Sequence, residues 1–185
     1  AIMALHYFWK SGGSYLMHIV LVEPEIPGNT GNIARLCAAE HLTLHLVEPL
    51  GFQIDDKHLK RAGLDYWDLL DVHVHPNYDS VVRMLAGHHF YLNTTKAIRS
   101  YTDISFDADD VLVFGKETKG LPEGLLRSHK EDCIRIPMIE EARSLNLSNA
   151  VAIVAMEAMR QVGFPHLLKQ SGRLFKGGTG SNEYL

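Results

Sequence analysis

Three polar stretches of this chain carry the residue types that could hold a ligand and act on it. The first is Pro27-Gly28-Asn29-Thr30-Gly31-Asn32, with Arg35 a turn further on. The second is Gly115-Lys116-Glu117-Thr118-Lys119-Gly120-Leu121-Pro122. The third is Arg143-Ser144-Leu145-Asn146-Leu147-Ser148-Asn149-Ala150. A glycine-bearing turn that opens a helix aims backbone N–H groups at whatever lies above it, and anions are favoured there. Arg35 can point to the same spot. Ser144, Asn146, Ser148 and Asn149 are short hydrogen-bonding side chains at a loop-to-helix junction, where Ser and Asn cap the free N–H groups of the first turn. Taken singly, each stretch is explained by a tight turn or a well-capped helix. Three of them, two following apolar strand-like runs, suggest a shared site.

Several kinds of chemistry are excluded by spacing. The first stretch lacks GxGxxG, so it is not a dinucleotide fingerprint. Gly115 and Gly120 satisfy GxxxxG, but Leu121-Pro122 stands where a phosphate loop needs Lys-Ser/Thr. Eleven histidines invite a metal reading. His73 and His75 fall two apart, as on one face of a strand, yet no HExxH or Cys/His cluster accompanies them, and no metal site is expected. Cys37 and Cys133 are the two cysteines and form no CxxC pair. They are expected to be reduced, buried residues of a cytoplasmic protein. The formal net charge of -4 argues against coating nucleic acid by bulk electrostatics but leaves room for a local basic site.

The elements that must position these stretches alternate. Strands are expected at His18-Ile19-Val20-Leu21-Val22, Leu44-His45-Leu46-Val47, 72–75, 90–93, Val111-Leu112-Val113-Phe114 and Cys133-Ile134-Arg135-Ile136-Pro137. The 111–114 run is apolar throughout, as in a strand buried on both faces. Pro24 and Pro27 exclude helix at 23–27 and suggest an extended turn. Ile33, Leu36, Cys37 and Leu42 then mark a helix face, with Asn29 or Thr30 as its N-cap. Further helices are expected over 55–62 and 78–86, from Pro122 at its N1 position, and from 146 to 162, where Val151, Val154, Ala155, Ala158, Met159 and Val162 keep helical spacing. This alternation gives an α/β fold with a mostly parallel sheet. At 185 residues, with 46% apolar and 22% charged residues, one globular domain is expected, over 17–164. Residues 1–16 read as an extension before a natural start at Met17, without the basic start and apolar centre of a signal peptide. Residues 165–185 form a basic, glycine-rich tail. No apolar run is long enough to span a membrane.

The three stretches, in this order and spacing, resemble the motifs of the SPOUT class (SpoU family) of S-adenosylmethionine-dependent RNA methyltransferases. The residues that carry the resemblance are Asn29-x-Gly31-Asn32-x-x-Arg35, Phe114-Gly115-x-Glu117-x-x-Gly120-Leu121-Pro122, and Ile136-Pro137-Met138 leading to Arg143 through Ala150. Glu23-Pro24-Glu25-Ile26-Pro27 and Arg61-Ala62-Gly63-Leu64-Asp65-Tyr66 are similar to the subfamily that methylates the 2'-oxygen of cytidine or uridine 34 in tRNA. The resemblance covers about 17–164. Gly28, where a second proline is common, and Lys116 depart from the pattern.

The resemblance implies a deep trefoil knot at the C-terminal end and a homodimer packed through it. It implies S-adenosyl-L-methionine bound by Asn93, beside Leu92 and Thr94, and by Gly115, Ile136, Ser144 and Leu145. A glycine at 115 would let the backbone approach the adenosine. It assigns catalysis to Arg35, with Asn29 positioning Arg35 or the ribose, and with Glu117 and Asn146 holding the loops and the electrostatics of the site. A guanidinium has a pKa above 12. Arg35 therefore acts either as a base with help from an RNA phosphate or as a stabiliser of the oxyanion. The implied substrate is the anticodon loop of a subset of tRNAs, leucine isoacceptors among them. Lys57, Lys60, Arg61, Lys96, Arg99, Lys116 and Lys119 are the candidate phosphate contacts. Another tRNA ribose, ribosomal RNA, or a non-catalytic RNA-binding role on the same fold are the alternatives.

Overall fold

The computed structural model describes residues 17–53, 69–165 and 167–170. The expected helix at 55–62, with Lys57, Lys60 and Arg61, the 61–66 segment, residues 1–16 and most of the tail lie outside them.

Strands β1 (His18–Val22), β2 (Thr43–Val47), β3 (Asp71–His75), β4 (Phe90–Asn93), β5 (Arg99–Ser100), β6 (Val111–Phe114) and β7 (Cys133–Arg135) form one sheet in the order β3-β2-β1-β6-β4-β7-β5. Every pairing is parallel. Among the described residues four α-helices cover it: α1 (Pro27–Glu40), α2 (Tyr78–Met84), α3 (Glu123–Ser128) and α4 (Leu147–Gln161). Strand period 2 sorts the side chains between two cores. Ile19, Leu21, Leu44, Leu46, Leu112 and Phe114 pack with Ile33 and Cys37 of α1 and with Val151, Val154, Ala155 and Met159 of α4. Val20, Val22, Val47, Leu92, Val111 and Val113 face the other way, onto Val81 of α2 and Leu126 of α3. Both cysteines are free and buried.

The sequence misplaced the start of α1. Neither Asn29 nor Thr30 is its cap. Ile26 holds that position with extended backbone, and Pro27 sits within the first turn. Proline is well suited there, because its fixed φ is helical and its missing N–H would have no partner anyway. Pro24 and Pro27 therefore bracket a short non-helical entry, extended at Ile26, rather than exclude helix through 27. Pro122 is likewise the cap of α3 and not its first residue. The cap of α4 is as expected: Asn146 Oδ1 accepts the backbone N–H of Ser148 at 2.9 Å and of Asn149 at 3.4 Å.

In a parallel sheet ligands gather at the carboxyl ends of strands, where the winding direction switches. Here β1, β6, β4 and β7 are consecutive neighbours. The loops that leave them begin at Glu23, Gly115, Thr94 and Ile136. Three stretches far apart in sequence are thereby set on one edge.

Candidate active site and cofactor edge

Glu117 is the hub of that edge. Its Oε2 accepts the backbone N–H of Glu25 at 2.8 Å. Its Oε1 accepts the N–H of Ile26 at 3.2 Å and the side-chain amide of Asn29 at 2.9 Å. The carboxylate thus sits at the amino end of α1, which has no acidic residue in its own first turn. It supplies the negative charge that the helix dipole favours there. The expectation that this helix start is open to an anionic ligand is corrected: a carboxylate from the β6 loop is already in place.

Asn29, only 6% exposed, passes the connection on. Its Oδ1 accepts from Asn146 Nδ2 at 2.9 Å. Asn146 in turn caps α4 and accepts from Ser148 Oγ at 2.6 Å. Glu117, Asn29 and Asn146 therefore join all three stretches through side-chain bonds spanning 88 and 117 residues. Both amides spend their oxygen and nitrogen on each other and on the loops, so the arrangement holds three loops in register.

Residues expected in other roles, or in none, reinforce the tie. Lys116 Nζ donates to Glu23 Oε2 at 2.5 Å, and this hydrogen bond raises the lysine pKa above its ordinary value. Glu25 accepts from Thr118 at its backbone N–H, 3.1 Å, and at its hydroxyl, 3.0 Å. Glu23 holds a positive φ of 52°, uncommon for a residue with a side chain. Lys116, expected as a phosphate contact, is instead a clamp between the β1 and β6 loops. The acidic pair of the 23–27 entry was visible in sequence. Its partner was not, because that requires knowing that β1 lies beside β6.

Gly115 has a reason to be glycine that differs from the expected one. A Cβ there would stand 2.1 Å from the carbonyl carbon of Gly120 and 2.2 Å from the nitrogen of Leu121. The loop closes on itself over this residue, with Gly120 N–H donating to Lys116 O at 2.8 Å and Gly120 at φ +68°. Any added side chain would first meet the loop's own backbone.

The expected cofactor residues fall on the same edge. Asn93 ends β4, paired with Phe114 of β6 and Ile134 of β7. Its Nδ2 donates to Val113 O at 3.3 Å, while its Oδ1 is buried without a hydrogen-bond partner. Ile136 leaves β7 partly buried against the core. Ser144 and Leu145 lie on the 136–146 loop, and Leu145 is 38% exposed. Arg35 is set apart. It is exposed on the outward stripe of α1 with Gly28, Asn32 and Ala39, whereas Asn29, Ile33 and Cys37 face inward. None of the hydrogen bonds joining Asn29, Glu117 and Asn146 includes it.

The fold is shared with known proteins. A tRNA (cytidine(34)-2'-O)-methyltransferase from Methylovorus glucosotrophus is 49% identical over 150 residues, covering 80% of this chain and 97% of that one. A solved structure concerning the 2-OH methylation of C/U34 on tRNA is 41% identical, with a TM-score of 0.76, covering 81% of this chain and 98% of that one. The SpoU methyltransferase AviRb from Streptomyces viridochromogenes, solved in complex with AdoMet, is 25% identical with a TM-score of 0.69, covering 82% of this chain and 60% of that one. Residues 16–156 match the SpoU rRNA Methylase family as a whole, and with the three motif loops tied on one edge of its sheet this chain belongs to that family.

Proposed function

We propose that this protein transfers a methyl group from S-adenosyl-L-methionine to the ribose 2'-oxygen of nucleotide 34, cytidine or uridine, in tRNA, with leucine isoacceptors as the expected subset. The observation that carries the reading is the near full-length identity of 49% to a relative of that name. The edge geometry is in keeping with it. The buried, unpartnered Oδ1 of Asn93 is an acceptor that a hydroxyl or amino group of a bound nucleoside would satisfy. It stands where the loops of Gly115 and Ile136 begin, and apolar walls with a few polar groups suit such a ligand. The same reading extends to a C-terminal knot within the 17–164 domain, to a homodimer, and to a cytoplasmic enzyme with its two thiols reduced.

Asn93, Gly115, Ile136, Ser144 and Leu145 would hold S-adenosyl-L-methionine, which would supply an activated methyl on a sulfonium. The chain must then orient the ribose and manage the charge left as the 2'-hydroxyl loses its proton. Arg35 presents donors and no acceptor, so its contribution is to favour negative charge on the 2'-oxygen. The proton leaves to water or to a phosphate oxygen of the RNA. Asn29, Glu117 and Asn146 position the loops around this step.

The test is labelled methyl transfer into tRNA transcripts with ribose or 2'-deoxyribose at position 34 only. Incorporation is expected into the first and not the second. Equal incorporation would overturn the wobble assignment in favour of another tRNA ribose, and transfer into ribosomal RNA alone would favour the substrate in the family's description.

A further inference from the structure

Between β5, α3 and the turn at 130–132, the sheet opens into a cleft of about 470 Å³. It is separate from the tie of Asn29, Glu117 and Asn146, and Gly115, Ile136 and Ser144 do not line it. Thr94 does, and Thr94 directly follows Asn93. The cleft therefore opens beside the cofactor edge on the far side of β4.

Its floor is apolar. Ala97, Leu126 and Cys133 are buried beneath it, and Ile98 stands 84% exposed at its lip. Its walls are charged. Lys96, Arg99, Arg127 and Lys130 face it against Glu123 and Glu131. The two carboxylates do not neutralise the four cations. Glu123 is shared, taking Lys96 at 2.8 Å and Arg127 at 3.5 Å. Arg99 donates to the backbone oxygen of Glu131, at 2.9 Å, and not to its carboxylate. The cleft thus carries an excess of two positive charges on a chain whose formal net charge is -4.

We propose that this cleft grips the phosphodiester backbone of the substrate RNA beside the methylated nucleotide. The proposal rests on the reading that the substrate is RNA. Guanidinium forks suit phosphate oxygens. The apolar floor suits a sugar or the face of a base, while among the described residues no aromatic ring lines the cleft to stack one. The grip is therefore on the backbone. It positions the strand without reading sequence, and choice among tRNAs resides elsewhere.

The experiment compares the full chain with the double variant Arg127→Glu/Lys130→Glu. Neither residue belongs to the tied loops, and the Arg127 side chain is 82% exposed, so the variant is expected to fold. Binding of a fluorescently labelled anticodon stem–loop RNA is followed by anisotropy between about 50 and 200 mM salt, the range in which phosphate contacts weaken most visibly. The variant should bind at least about tenfold more weakly at low salt. The slope of log affinity against log salt should fall by roughly 1.4, for two lost contacts to a single strand. S-adenosylhomocysteine binding and thermal unfolding should match the native chain. Native-like RNA affinity and slope in the folded variant would overturn the proposal and leave the cleft to an acidic protein partner. Failure of the native chain to bind the RNA would overturn it too. Methyl transfer by the native chain is scored separately, so an inactive but RNA-binding protein would sink the enzymatic reading while the cleft result stands.

Discussion

A carboxylate placed at a helix start can neutralise the helix and anchor a second loop at once, and Glu117 does both. Three donors converge on it: two backbone N–H groups of the extended entry and the amide of Asn29. Replacing it with glutamine keeps the shape, removes one acceptor oxygen and turns an NH₂ group toward an N–H. Hydrogen bonds to a charged group contribute about 1.5–3 kcal/mol each, at the lower end where water can compete, as it can at this partly exposed residue. Glu117→Gln is therefore expected to lose about 1.5–3 kcal/mol in urea unfolding. On the proposed function it should lose more in turnover than in S-adenosylhomocysteine affinity, because the tie joins the helix that carries Arg35 to the loop of Gly115. Unchanged stability would mean that the three bonds do not hold the loops together. Gly115 carries the opposite lesson. A valine there, an apparent way to fill the adenosine site, would first collide with the Gly120–Leu121 peptide. Loss of cofactor binding in that variant would therefore report loop distortion as readily as occupancy.

At the scale of elements, the first three strands of the chain share a polar ladder apart from the tie of Asn29, Glu117 and Asn146. His18 Nδ1 meets His45 Nε2 at 3.0 Å, and His45 Nδ1 meets His75 Nε2 at 2.9 Å. His73 stacks on His45, His88 approaches His18 edge-on, Asp71 takes His73 and the Thr43 hydroxyl, and Asp109 faces His88. Among the described residues no group of this kind is arranged to hold a metal ion. Burial, with the neighbouring histidines, lowers the pKa of His45 to about 2; burial, then His88, lowers that of His18 to about 4. A histidine whose folded pKa is depressed is neutral in the fold and protonated in the unfolded chain below its ordinary value of 6.5. Its contribution is complete above that pH and is lost as the pH falls toward the folded value. Stability should therefore drop between about pH 6.5 and pH 4, by roughly 1 kcal/mol per pH unit for each of the two. His45→Gln keeps a donor and an acceptor between its neighbours without titrating, and should flatten the melting temperature against pH in that window. An unaltered profile would exclude the ladder as its cause. The sequence showed half of this device. His73 and His75 were legible as one strand face, but His18 and His45 join them only through the β1–β2–β3 register. The strands at 18–22, 90–93 and 111–114 were legible because buried strands are apolar runs bounded by turns. β5 was not, since Arg99 and Ser100 carry no such pattern and are a strand only because β7 lies alongside. The motif stretches were legible as polar loops, whereas their mutual bonds depend on a strand order that no local signal encodes.

At the scale of the molecule, Arg35 and the tied loops occupy different faces of α1. Asn29 and Arg35 are six residues apart on α1, so they point to different sides of the helix. Asn29 faces inward, and Arg35 lies on the exposed stripe. α4, which packs on α1, leaves Ile153 and Met156 partly exposed, and Ile26 is 48% exposed at the helix entry. A second copy that covered these side chains by a two-fold operation could bring Arg35 of one subunit to the cofactor edge of its partner. The consequence is testable by complementation. Arg35→Ala supplies an intact cofactor edge without the arginine. Ser144→Tyr supplies the arginine with bulk on an exposed position of the cofactor loop. Each alone should be nearly inactive. If the two are unfolded and refolded together, random pairing makes about half of the dimers mixed, and each mixed dimer regains one intact site of two. About a quarter of native activity should return, rising toward a half if mixed dimers are purified. A site built within one chain predicts no recovery, because both chains of every mixed dimer carry a defect. A sedimentation coefficient of a monomer at micromolar concentration would end the shared-site reading outright, and Arg35 would then have to reach the cofactor edge through a movement of α1 itself.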